Sequence, residues 1–114
     1  MQSIAEVPAY LCVAERLLGE QERLDVIDYL ATHPLAGKLL QGTGGLRKLR
    51  WRRGNRGKSG GVRIIYYYHG EEMPLYLLAM FAKGQKTSLS AAERHELKAL
   101  VGILVASWKE RTSL

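Results

Sequence analysis

The sequence has a single cysteine, Cys12, which excludes an internal disulfide and a thiolate metal cluster and fits a reducing compartment. No apolar run approaches the roughly 18 residues that a membrane span needs. The first residues lack the basic start and apolar stretch of a signal peptide, so a soluble, cytoplasmic protein without membrane contact is expected. Paired carboxylates, a histidine cluster and a Ser-His-Asp set are all missing. The three histidines, His33, His69 and His95, fall in a helix end, a turn and a helix and are read as surface residues. No His/Cys/carboxylate spacing matches a metal site, and no cofactor is expected. With no internal repeat or long linker, the 114 residues form one expected domain, 1–114, large enough for a modest core.

Acidic residues are absent from Thr43 to Gly70, and that absence is the most informative. The same stretch holds Arg47, Lys48, Arg50, Arg52, Arg53, Arg56, Lys58 and Arg63, eight of the 17 lysines and arginines in a chain of net charge +6. A block of one sign repels itself unless a polyanion or an acidic partner neutralises it. Apolar, strand-like residues interrupt the block, which favours a polyanion-binding surface over an ordinary solvated face.

Hydropathy patterning supplies the elements. Ser3 to Val7 suits a first strand. Pro8 fits the first turn of a helix, where its missing N–H costs nothing; Tyr10, Leu11, Ala14, Leu17 and Leu18 share a face, and the helix ends near Gly19. A second helix is predicted from about Glu20 to Thr32, with Leu24, Ile27 and Leu30 or Ala31 at helical spacing. Acidic Glu20, Glu22 and Asp25 suit its N-terminus, and Pro34 and Gly37 stop it. Leu46 to Trp51 alternates basic and apolar residues as a half-buried strand does. Arg52 to Gly61 reads as a basic, glycine-rich loop. Val62 to Tyr68 and Leu75 to Ala82 read as strands, the second buried on both faces. Ser90-Ala-Ala-Glu93 is a capping box opening a helix to about Lys109, striped by Leu97, Leu100, Val101, Leu104 and Trp108. The order β-α-α-β-β-β-α predicts an α+β fold: a small, mostly antiparallel sheet, two N-terminal helices and a C-terminal helix.

Strand alternation puts Lys48, Arg50 and Arg52 opposite Leu49 and Trp51. Because the latter want the core, the basic trio is expected to face away from the helices. Arg63, Ile65 and Tyr67 share a face of the next strand, and Lys83 follows the parity of Leu77, Ala79 and Phe81. A meander would bring Lys48, Arg50, Arg63 and Lys83 into one concave site, rimmed by Arg53, Arg56 and Lys58. Cations alone suit one reaction well, the cleavage of RNA by its own 2′-OH. The nucleophile belongs to the substrate, so the protein aligns it and stabilises the charge on the phosphorane. A lysine or arginine among cationic neighbours, or a tyrosine, could move the proton. Simple phosphate binding without chemistry fits the same cluster, and the pattern does not decide between them.

Three segments, Gly42 to Trp51, Arg56 to Tyr67 and Leu75 to Lys83, resemble in sequence and order the RelE/ParE superfamily of bacterial toxins, closest to its HigB-like branch. The resemblance extends to the early helices and to the Ser88–Glu96 start of the last one. It implies a microbial-ribonuclease-type fold and the toxin of a type II toxin–antitoxin system. Such a toxin is an mRNA interferase, a metal-independent endoribonuclease that inhibits translation by cleaving mRNA in the ribosomal A site. It also implies a cognate antitoxin, through which alone operator DNA would be contacted. By motif, the catalytic residues are Lys48 and Arg50, Arg63 and Lys83. RNA-binding roles fall to Arg47, Arg52, Arg53, Arg56, Lys58, Tyr67 and Lys86. The family pattern has an arginine just after the last strand and a tyrosine beyond it. Here Gly84 or Gln85 stands in the first place and no tyrosine follows Tyr76, leaving Lys86 and Tyr67 as candidates and the general base open.

A ParE-like gyrase poison would share the fold and the antitoxin but not the ribonuclease site, and the convergent cations argue against it. A non-catalytic nucleic-acid-binding module using the basic loop is the other alternative.

Overall fold

Short runs that cannot bury both faces alone assemble here into a sheet with helices on either side. The computed structural model describes residues 2–52, 61–85 and 88–112. In chain order the elements are β1 (Ile4–Glu6), α1 (Pro8–Leu17), α2 (Glu20–Thr32), β2 (Lys38–Leu39), β3 (Leu46–Arg52), β4 (Gly61–Tyr67), β5 (Leu75–Ala82) and α3 (Ala91–Thr112). The sheet runs β1-β5-β4-β3-β2, with β1 parallel to β5 and the other pairs antiparallel. The fold is α+β with a mixed sheet, one strand richer than the sequence pattern suggests. The extra strand, β2, has two residues, too few to carry a period.

What holds β2 in place is the loop before it. The Tyr66 hydroxyl donates to the Pro34 carbonyl at 2.8 Å and accepts from the Gly37 N–H at 2.7 Å. The Arg47 guanidinium donates to the carbonyls of Leu35 and Gly37.

One face of the sheet carries α1 and α2. Tyr10, Ala14, Leu18, Val26 and Leu30 pack there against Leu49, Val62, Ile64, Tyr66 and Leu77. Fully burying one such apolar side chain stabilises the fold by about 1.5–3 kcal/mol. Leu24, expected on the inner face of α2, is 48% exposed, and Val26 takes its place.

The opposite face carries α3, which corrects the expectation that the basic trio points away from all helices. Ile65, Tyr67, Leu78 and Phe81 are apolar on this side too and need cover. Val101 and half-buried Leu97, Leu100, Leu104 and Trp108 supply it. The helix begins with the expected capping box, Ser90 N–H to the Glu93 carboxylate (2.9 Å) and Glu93 N–H to the Ser90 hydroxyl (3.1 Å). It ends at Thr112 rather than near Lys109.

A bulge between β4 and β5 corrects a second expectation. Ile65 pairs with Ala79 and its neighbour Tyr66 with Leu77, so Leu78 is an extra residue. Leu77 therefore joins the α1/α2 side, whereas Leu78, Ala79 and Phe81 lie on the α3 side. Among the described residues, no helix is long and apolar enough to cross a membrane.

Candidate nucleic-acid interface

Register brings the cations together. In the β3–β4 pair, Arg50 lies directly opposite Arg63 and Lys48 opposite Ile65, while Lys38 of β2 lies opposite Lys48. Partners in an antiparallel pair project to the same face. Lys38, Lys48, Arg50 and Arg63 thus share the α3 side of the sheet. Like charges directly opposite destabilise a sheet, and neither Arg50 nor Arg63 forms an ion pair with a described carboxylate.

The strain is felt at Lys48. Desolvation lowers its pKa from the usual 10.5, and the charges of Arg50, Arg63, Lys38 and Arg94 lower it further. A half-buried amine ringed by cations loses its proton more readily than a solvated one. Arg94, from the first turns of α3, and Lys38 are therefore part of the same field, though neither stands out as a site residue in the sequence. Lys38 gives no signal, because its strand is too short. Arg94 does give one: it stands three and seven residues before Leu97 and Val101, and so continues their stripe by one turn.

Lys83 is the first residue after β5, and its N–H donates to the Gly61 carbonyl at 3.0 Å. That bond ties it to the end of the sheet where Arg52 pairs with Gly61. Arg52 and Lys83 are exposed there.

Two predicted RNA-binding residues do not offer their polar groups to this set. Arg47 has the opposite parity and spends its guanidinium on the carbonyls before β2. Tyr67 shares the face, two residues along β4 from Ile65 and so diagonal to Lys48, but its hydroxyl is turned elsewhere. It is 8% exposed, and its hydroxyl is 2.9 Å from His69 Nδ1. Arg53, Arg56, Lys58 and Lys86 lie outside the described residues.

The other histidines are elsewhere, His33 stacked on Tyr29 at the end of α2 and His95 exposed on α3. Among the described residues no group of three His, Cys, Asp or Glu could hold a metal ion. A cleft of about 450 Å³, lined by Gln2, Ala31, Thr32, Pro34, Tyr68 and Glu71, has no cationic lining residue. The basic group lies on the sheet face rather than in that cleft. Its arrangement, cations from three strands and a helix on one side of the sheet, can bind phosphate. No family model matches the sequence.

Proposed function

We propose that this protein is the toxin of a type II toxin–antitoxin system, a RelE-like endoribonuclease that cleaves mRNA on the ribosome and is neutralised by a cognate antitoxin in the cytoplasm. The observation that carries the reading is the facing pair Arg50–Arg63 with the depressed Lys48 beside it. The three sequence segments that resemble the RelE/ParE superfamily supply these same residues.

In the proposed reaction the substrate's 2′-oxygen forms a bond to the adjacent phosphorus and the bond from phosphorus to the 5′-oxygen breaks. A 2′,3′-cyclic phosphate and a 5′-hydroxyl end result. Lys48 takes the 2′-hydroxyl proton in this scheme, and the lowering of its pKa by desolvation and neighbouring cations favours the deprotonated amine that the role requires. Arg50 and Arg63 face the phosphorane, where removing one such contact commonly costs about 100- to 1,000-fold in rate. Lys83, at the same end of the sheet, is a candidate to carry the proton to the leaving 5′-oxygen.

The test is mRNA cleavage on translating ribosomes by the parent, Lys48→Ala and Arg63→Ala. Loss of cleavage with the fold retained supports the reading. Parental cleavage by folded Lys48→Ala and Arg63→Ala overturns this site. A parent that arrests DNA replication before translation would make it a ParE-like poison instead.

A further inference from the structure

We infer that Arg94 and Lys38 complete an anion site spanning the sheet and α3, so that a polynucleotide phosphate bound there draws the start of α3 onto β3. The inference rests on reading the basic face as an RNA-binding surface and adds a grip from the helix side.

Three observations place Arg94 over the sheet. It continues the stripe of Leu97 and Val101, which pack on the cluster containing Leu46 and Ile65. One turn further along the helix, Lys98 lies along Gly44, its Cγ and Cε 3.8 Å from the position a Cβ there would take. α3 therefore crosses the chain just before β3, and Arg94 stands one turn back from Lys98 on the same side of the helix. Finally, the Arg94 charge is among those that depress Lys48.

The residues are also poised rather than spent. Arg94 Nη2 makes only a loose contact with Ser88 Oγ, at 3.5 Å. Glu93, its acidic neighbour, is engaged through Oε1 by the Ser90 N–H. Among the described residues, none of Lys38, Arg50, Arg63 and Arg94 pairs with a carboxylate. Cations from β2, β3, β4 and α3 repel one another across this gap, and a bound phosphate reverses the sign of the interaction. Apart from Val101 the stripe of α3 is half-buried. An anion between Arg94 and the strands adds to the apolar contact that already holds the helix.

Two probes test this on the full chain, inorganic pyrophosphate and a single-stranded 2′-O-methyl RNA that cannot be cleaved. Pyrophosphate should slow amide exchange in the first turns of α3 in the parent and fail to do so in Arg94→Ala. With the oligonucleotide, Arg94→Ala and Lys38→Ala should each lower the log–log salt slope by about 0.7, one phosphate contact. Arg94→Lys should restore part of that slope, and Arg16→Ala, on exposed α1 surface, should match the parent. Equal exchange protection in parent and Arg94→Ala overturns the inference, as does an unchanged slope in Arg94→Ala beside a lowered one in Arg63→Ala; the RNA reading survives both. Pyrophosphate protection without any oligonucleotide binding keeps the anion site and removes the RNA reading.

Discussion

Gly37 and Tyr66 fit each other so closely that a side chain at position 37 would force one of them to shift. A Cβ there would lie 2.6 Å from the Tyr66 ring, while the Gly37 N–H donates to the Tyr66 hydroxyl. Gly37→Ala should destabilise by about 1–3 kcal/mol through overpacking. Tyr66→Phe should cost about 0.5–1.5 kcal/mol for each bond lost. Chemical denaturation measures both, and a neutral Gly37→Ala would mean that the loop can move aside.

Arg63 and Leu49 sit on facing strands yet should fail in opposite ways. Removing Arg63 relieves a like-charge pair with Arg50, so Arg63→Ala should change stability by less than about 1 kcal/mol while lowering the proposed cleavage about 100- to 1,000-fold. Leu49→Ala empties a buried site in the α1/α2 core and should cost about 2–5 kcal/mol. The thermal midpoint and the cleavage rate, taken together for each variant, separate the roles. Strong destabilisation by Arg63→Ala would assign that residue to the fold instead.

Lys48 should leave a pH signature in stability. Its folded pKa lies below the usual 10.5, so the unfolded chain binds more protons and stability rises with pH between the lowered value and 10.5. Below that window the penalty of the partly desolvated, repelled charge is fully present, and above it the penalty is gone. Lys48→Met removes this component. The parent should therefore gain on Lys48→Met in denaturation midpoint as pH rises toward 10.5. A constant difference between the two would contradict the depressed lysine.

Tyr10 is fully buried, and its hydroxyl has no hydrogen-bond partner among the described residues. Burial, and then Glu6, push its pKa up, with Arg23 opposing them. Tyr10→Phe keeps the ring and removes an unsatisfied polar atom, so it should stabilise by about 1 kcal/mol. A loss of that size on denaturation would show that the hydroxyl is bonded.

Most of the element order was legible because it rests on local chemistry. Pro8 marks one helix start, Ser90 and Glu93 another, and the apolar runs of β4 and β5 are hard to read otherwise. The grouping of Lys48, Arg50 and Arg63 was legible too, since strand parity and a meander suffice to bring them together. What stayed hidden depends on partners distant in sequence. β2 exists because Tyr66 and Arg47 hold the loop before it. The cover on the second face follows from apolar surface on both sides of β4 and β5, which patterning strand by strand does not sum. The parity of Leu77 turns on a bulge that no residue type announces. Tyr67 looked available because it shares a face with Arg63, but shared parity says nothing of burial or of where the hydroxyl goes, here to His69.

That bulge also decides where the chain can change length. Taking a residue from most positions in β5 would turn part of the strand over, sending core side chains to the wrong layer. Leu78 and Ala79 are the exceptions, because they are consecutive and lie on the same side. Without either one, the two-sided alternation would run unbroken from Leu75 to Phe81. A deletion there would forfeit one side chain and leave every other one of the strand on its own side, making this pair the place where relatives one residue shorter could share the same sheet.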